Sequence, residues 1–310
     1  VSERRAVLVT GADLAEQALA LLSDFDVVYA GKAPQEADLI ALCQRHDPVA
    51  IIVRYGKVGA SVMDAAPSLR VISKHGSGTD TIDKVAASER GIEVRAAVGA
   101  NAAAVSEQAL ALLLACAKSV VRLDARMREG FWDKPTHKSL ELHGRTVGVV
   151  GLGAIGQRFA RACDALGMRV LGHDPYASQL PSFIEPVALE RIWTDSDAIS
   201  LHCPLTEDNR GMVNATTLAR CKRGVVLVNT ARGGLINEAD LVQAVRSGQV
   251  AAAGLDSFAV EPMPVPHPFQ AEPNILLSPH IGGVTVDAYV NMGVGAARNV
   301  IDALKQVAHA

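Results

Sequence analysis

Three polar side chains fall just beyond short apolar runs in the second half of this 310-residue chain. Arg232 follows VVLVNT beside a glycine pair, Glu261 ends the segment GLDSFAVE before a proline, and His280 closes ILLSPH. Each run has the length and the β-branched or apolar content of a buried strand, so each polar residue would sit at or beyond a strand end. Their types are complementary. A guanidinium is a fixed planar cation that can hold a carboxylate and a carbonyl oxygen, and an imidazole can deliver a proton near neutral pH. A carboxylate bonded to the other ring nitrogen would orient the imidazole and stabilise its protonated form. Together they suit the reduction of a 2-oxo acid, in which a hydride reaches the carbonyl carbon and a proton its oxygen. Singly, each has a plainer reading: a surface arginine, a structural histidine, a glutamate that ends a strand.

A hydride needs a carrier, and the stretch TVGVVGLGAIG from 146 to 156 suggests one. Its apolar run stops at Gly151, Gly153 and Gly156, after which Ile155, Phe159, Ala162 and Leu166 recur at helical spacing up to Gly167. In such a strand-turn-helix junction the first glycine permits the turn, the second lets backbone approach a pyrophosphate, and the third allows helix to pack on strand. A second run, MRVLGHD, ends at Asp174, where a carboxylate can accept hydrogen bonds from ribose hydroxyls. A carboxylate there repels a 2′-phosphate, so the expected cofactor is NAD rather than NADP. Glycines used only for packing are the alternative.

These residues need a frame, and the chain supplies alternating βα units around parallel sheets. Five apolar runs are expected as strands in the first half, at 6–10, 26–30, 49–54, 69–73 and 91–95, with a helix from Asp13 to Leu22 among the connections. Six follow, at 146–150, 168–174, 197–203, 224–230, 251–257 and 274–280. The alanine- and leucine-rich stretch from Asn101 to Gly130 reads as one crossover helix, and 286–305 as a helix that returns to the first half. EPMPVPHPF reads as an extended, stiff loop. With 49% hydrophobic residues, 20% charged and a net charge of −3, neither nucleic acid nor a membrane surface is an expected partner. No apolar stretch is long enough to span a bilayer, and a cytoplasmic location is expected. The five cysteines lack paired spacing, which points to buried thiols and to no metal.

The motifs GLGAIG, HDPY, LHCPLT, VNTARGGLINEADL, GLDSFAVEP and SPHIGG, in this order, with KHGSGTDTID and VGANAAAVSEQAL upstream, resemble the D-isomer-specific 2-hydroxyacid dehydrogenase family and its phosphoglycerate-dehydrogenase-like members. The likeness covers nearly the whole chain. It implies an α/β fold in which a Rossmann NAD-binding domain (100–286) is inserted into a flavodoxin-like substrate domain (1–99 and 287–310), with a cleft between them. It implies Arg232, Glu261 and His280 as the active site. Cofactor contacts carry over to Ala154, Ile155, Asp174, Thr206, Thr230 and Ala231, to Asp256 near the nicotinamide amide, and to Gly282 and Gly283. The backbone N–H groups of Ser77 and Gly78 would hold the substrate carboxylate.

The implied reaction is NAD-dependent interconversion of a small D-2-hydroxy acid and its 2-oxo acid, such as 3-phosphoglycerate, hydroxypyruvate or glyoxylate partners, by a homodimer. Arg54 and Lys74, at the ends of first-half strands, could reach a second anionic group on the substrate; as a plainer reading they are solvated charges. Formate dehydrogenases of the superfamily carry glutamine where this chain has Glu261, so formate is not expected. Phosphite dehydrogenases share the three residues and stay open. So does a non-catalytic NAD(H)-sensing scaffold like the C-terminal-binding-protein corepressors, although no disordered tail or basic patch favours it. Long phosphoglycerate dehydrogenases carry a further regulatory domain; this chain ends at Ala310, and serine feedback is not expected.

Overall fold

The computed structural model describes residues 4–307. The chain divides into two compact units, one of residues up to Asn101 together with those from Gly283, the other Ala102–Gly282. The first begins with β1 (Ala6–Val9), α1 (Glu16–Leu21), β2 (Asp26–Tyr29), α2 (Glu36–His46), β3 (Ala50–Val53), α3 (Ala60–Asp64), β4 (Val71–Lys74), α4 (Lys84–Glu89) and β5 (Glu93–Ala96). Its five parallel strands lie in the order β2-β1-β3-β4-β5, the flavodoxin-like order. The central runs AVLV and AIIV are wholly buried because both faces of a parallel sheet are covered, whereas DVVY and EVRA, at the edges, are partly exposed.

The second unit comprises α5 (Ala102–Lys118), α6 (Val120–Arg128), β6 (Thr146–Val150), α7 (Ala154–Ala165), β7 (Arg169–His173), β8 (Ile184–Pro186), α8 (Leu189–Asp195), β9 (Ala198–Leu201), α9 (Ala215–Arg220), β10 (Val225–Asn229), α10 (Glu238–Arg246), β11 (Val250–Leu255) and β12 (Ile275–Leu277). Its seven strands are parallel, in the order β12-β11-β10-β9-β6-β7-β8. Counted from β6, this is the dinucleotide-binding order 3-2-1-4-5-6 with one added strand. The chain then re-enters the first unit as α11 (Val286–Val307). Ala296, Ala297, Val300, Ala303 and Leu304 bury its apolar face against Val7, Val9, Ala50, Ile52 and Val71. The small residues on that face let the helix approach the sheet.

Four expectations need correction. The first helix starts at Glu16, not Asp13, because Ala15 is extended and the Asp13 side chain is bonded to Arg54 and Tyr289. The expected crossover helix is two: Ser119 takes a left-handed φ of 53°, and α6 turns 59° away from α5 with no buried residue of its own. The second sheet has a seventh strand, β8, at its edge. On α7 the buried stripe is Gly156, Phe159, Ala160 and Cys163, while Leu166 is 38% exposed beyond the last turn. Among the described residues no single helix is long and apolar enough to cross a membrane.

Candidate active site

Strands β10, β11 and β12 are parallel neighbours, so their C-terminal ends lie along one edge of the sheet. Arg232, Glu261 and His280 each follow one of these ends. Buried Asn229 closes β10 and braces the arginine: its Oδ1 accepts from Ala231 N–H at 3.0 Å and its Nδ2 donates to the Arg232 carbonyl at 2.9 Å. The Arg232 guanidinium also donates to the Ala231 carbonyl at 2.8 Å. Gly233 then passes directly over the segment after β11. A Cβ there would stand 1.9 Å from the Phe258 carbonyl carbon and 2.3 Å from Ala259 N, so only glycine lets the two loops meet.

Glu261 is fixed at both carboxylate oxygens. Oε1 accepts from Phe258 N–H at 2.9 Å and Oε2 lies 2.7 Å from His280 Nδ1. The Nε2 edge of the ring is thereby left to work elsewhere, in a side chain about half exposed. His280 has φ 54°, a left-handed conformation that costs a residue with a Cβ about 1 kcal/mol and needs support. Asp256 provides it. Its carboxylate, 1% exposed, accepts from Ser278 Oγ (2.5 Å), Ile281 N–H (3.0 Å) and Gly282 N–H (2.8 Å), spanning the histidine from both sides. Gln108 Nε2 donates to Ser278 Oγ at 3.1 Å and ties this loop to α5. Asn229, Asp256 and Gly233 thus shape the loops that carry the reactive types. The one sequence signal for Asn229 was an amide closing an otherwise apolar strand.

The glycine turn follows β6, and LHCPLT follows its neighbour β9, at the point where the strand order reverses. Ligands of open α/β sheets bind outside the strand ends at such a point. Gly151, at φ +90°, would place a Cβ 2.6 Å from Cys203 N, and one on Gly156 would stand 1.9 Å from the Gly151 carbonyl oxygen. Above Gly153, by contrast, a Cβ would meet nothing within 4 Å. Gly153 caps α7 without a side-chain hydrogen bond, so the amides of Ala154 and Ile155 in the exposed first turn face no side-chain acceptor from the cap. Such a turn suits a pyrophosphate. Asp174 grips it: Oδ2 accepts from Leu152 N–H at 2.8 Å and Oδ1 from Tyr176 N–H at 2.9 Å. Thr206 is exposed in the loop after β9, where its N–H donates to Asn209 Oδ1 at 2.8 Å. Thr230 Oγ1 is buried after β10 with no hydrogen-bond partner among the described residues, and Ala231 beside it is buried. The open cradle and the orphaned hydroxyl both fit a dinucleotide.

In the first unit Ser77 and Gly78 follow β4, half-buried, and Ser77 Oγ donates to Asn101 Oδ1 at 3.1 Å. Gly283 belongs to this unit and packs on Asn101, whereas Gly282 belongs to the second. Lys74 Nζ donates to the Arg54 carbonyl at 3.2 Å. Arg54 itself is ion-paired with Asp13.

The family model for the NAD binding domain of D-isomer specific 2-hydroxyacid dehydrogenases matches residues 110–282. Hydroxypyruvate reductase of Thermotoga maritima is 40% identical over 250 residues, 80% of this chain and 82% of that one. The chain belongs to this family. As a 2-hydroxyacid dehydrogenase it is also 38% identical over 260 residues to D-3-phosphoglycerate dehydrogenase of Archaeoglobus fulgidus, covering 83% of this chain and 49% of that one; it spans about half the length of that relative. A solved glyoxylate reductase from Paecilomyes thermophila matches it with a TM-score of 0.88 at 28% identity, over 99% of this chain and 97% of that one. The dehydrogenase is therefore an NAD-dependent oxidoreductase of D-2-hydroxy acids, with a Rossmann unit set into a flavodoxin-like one.

Proposed function

We propose that this dehydrogenase interconverts a small D-2-hydroxy acid and its 2-oxo acid with Arg232, Glu261 and His280 as its working residues. The observation that carries the reading is the 2.7 Å pair of Glu261 and His280 on strand ends neighbouring that of Arg232. Arg232 holds the substrate carboxylate and polarises the carbonyl oxygen. Glu261 occupies Nδ1, so Nε2 of His280 faces the substrate oxygen and gives it a proton during reduction, or takes one during oxidation. Bound NAD supplies or accepts the hydride. Gly151, Gly153, Ala154, Ile155 and Gly156 hold its pyrophosphate, Asp174 its adenosine ribose, and Thr206, Thr230, Ala231, Gly282 and Gly283 complete its contacts. Asp256 lies near the nicotinamide amide and also supports the His280 loop. The backbone N–H groups of Ser77 and Gly78 are further contacts for a substrate carboxylate.

The protein works as a cytoplasmic homodimer in this reading, with neither nucleic acid nor membrane as partner. Val120, Val121, Met127, Phe131 and Trp132, exposed along and just after α6, support a self-association surface on the second unit. Sedimentation at micromolar concentration tests this, and a monomer would contradict it.

The decisive test is NADH oxidation with hydroxypyruvate, glyoxylate, pyruvate, 3-phosphohydroxypyruvate and 3-sulfopyruvate, for the natural chain and for His280→Ala. The variant should lose about a hundredfold or more in kcat while binding NADH normally. Near-normal kcat would remove His280 from its role. Tight NADH binding without turnover of any acid would favour a non-catalytic scaffold instead.

A further inference from the structure

Two consecutive amides after β11 are held by two different glutamates, and each glutamate also holds an imidazole. Phe258 N–H donates to Oε1 of Glu261, whose other oxygen serves His280. Ala259 N–H donates to Glu238 Oε1 at 3.0 Å, and Glu238 Oε2 lies 3.2 Å from His267 Nε2. Glu238 opens α10, where a carboxylate also complements the helix dipole. His267 lies in the proline-rich loop between β11 and β12, its side chain 9% exposed. The two pairs differ at the far edge of the ring. His280 is bonded through Nδ1 and leaves Nε2 to the substrate, whereas His267 Nδ1 accepts from Phe269 N–H at 3.3 Å, so its ring proton sits on Nε2 and is donated to Glu238. With both nitrogens engaged, His267 has no edge left to exchange a proton with a ligand. Its loop is pinned as well. His267 N–H donates to Gln270 Oε1 at 2.9 Å, the His267 ring meets Phe269 edge-on at 4.7 Å between centroids, and buried Phe269 lies 6.5 Å from the Phe258 ring.

We infer that Glu238 and His267 are a positioning pair: they fix the Phe258–Ala259 peptide, and through it the Glu261 carboxylate that orients His280 for proton transfer. The inference deepens the dehydrogenase reading and rests on it. This peptide is where the supports of all three working residues meet. Gly233, next to Arg232, passes over the Phe258 carbonyl carbon and Ala259 N. The Phe258 amide claims one oxygen of Glu261 and so decides which oxygen is left for His280. Packing alone does not hold the segment, because Ala259, Val260 and Glu261 are exposed and only Phe258 is buried. Hydrogen bonds must do so, and Glu238 supplies one from the first turn of α10 while His267 keeps its carboxylate from turning away. In Glu238→Gln one acceptor faces two converging donors, Ala259 N–H and His267 Nε2–H, so one of them is orphaned. The peptide then shifts, and a proton transfer tuned to the placement of Glu261 slows without any change in the groups that bind the acid or NADH.

The test follows NADH oxidation with the best-reduced acid of the panel above, for the full chain, for Glu238→Gln, His267→Leu and His267→Gln, and for Glu238→Gln combined with Glu261→Gln. Glu238→Gln and His267→Leu should each lower kcat about fivefold or more, with KM for the acid and NADH affinity held within about twofold. His267→Gln, whose amide can donate to Glu238 from much the same place, should recover most of what His267→Leu loses. On top of Glu261→Gln, the Glu238→Gln change should lower kcat by less than about twofold, because it acts through Glu261. Natural kcat in folded Glu238→Gln and His267→Leu overturns the inference alone, as does a full further loss on top of Glu261→Gln. No turnover of any acid by the natural chain, or natural kcat in Glu261→Gln, overturns the dehydrogenase reading of Glu261 and the inference with it. Should Glu238→Gln fail to fold, His267→Leu takes its place in the same comparison.

Discussion

The Oε2 of Glu261 stands 2.7 Å from Nδ1 of His280, while its Oε1 takes the amide of Phe258 at 2.9 Å. One carboxylate thus serves the ring and the loop beneath it. In Glu261→Gln a single carbonyl oxygen must serve both donors, so one of them is orphaned or the ring turns. We expect kcat to fall about tenfold or more with NADH affinity retained, read by steady-state kinetics beside an NADH titration. Equal kcat in variant and natural chain would remove Glu261 from the proton-handling unit.

Two of the turn glycines should fail in different ways. Gly156→Ala would drive a methyl group to 1.9 Å from the Gly151 carbonyl oxygen, and should unfold or reshape the turn at a cost of about 1 to 3 kcal/mol. Gly153→Ala meets nothing in the protein, so its melting temperature should stay within a few degrees while NADH affinity drops tenfold or more. Calorimetry and NADH fluorescence separate the two; normal NADH binding by Gly153→Ala would mean that nothing approaches the turn there.

Asp174 should set the choice between the two nicotinamide cofactors. Asp174→Asn keeps an acceptor for the Leu152 amide and removes the charge. The ratio of kcat/KM for NADPH to that for NADH should then rise roughly tenfold, because a like-charge contact costs at least about 1 to 2 kcal/mol. An unchanged ratio would show that selectivity lies elsewhere.

His75 makes stability depend on pH. Its ring is 8% exposed, its Nε2 has no hydrogen-bond partner among the described residues, and burial holds it at about 4 against 6.5 in an unfolded chain. Above 6.5 the ring is neutral in both states and the folded state carries no penalty. Between 6.5 and about 4 only the unfolded state takes up the proton, so the folded state loses up to about 1 kcal/mol per pH unit. Urea midpoints for the natural chain and for His75→Gln should diverge between pH 7.5 and pH 5, with the variant less acid-sensitive. Parallel pH dependence would place the acid sensitivity on other groups.

What could be read from the sequence followed from how local the signal was. Runs such as AIIV and VVLVN announce buried parallel strands because burial on both faces leaves no alternation to obscure them. The three-residue IEP does not, being short, at an edge and ended by proline. The break at Ser119 was equally hidden, since apolar residues continue on both sides and only the backbone angle changes. The reactive types were legible as strand-end residues. Their supports were not: Gly233 matters through a peptide 25 positions away, and the Asp256 carboxylate also holds the loop that presents His280. Arg54 was legible as a cation at a strand end, but its neutralisation depends on Asp13, 41 positions earlier.

The return of α11 to the first sheet has a consequence for biosynthesis. Ala296, Ala297, Val300, Ala303 and Leu304 cover Val7, Val9, Ala50, Ile52 and Val71, so one face of the first sheet, covered by α1 only in part, stays incomplete until α11 leaves the ribosome. The contiguous second unit has all of its strands before α11 begins. Of the two units, the one begun earlier is therefore completed later, and a chain stopped before α11 would carry a finished nucleotide-binding unit beside an incompletely covered, aggregation-prone one.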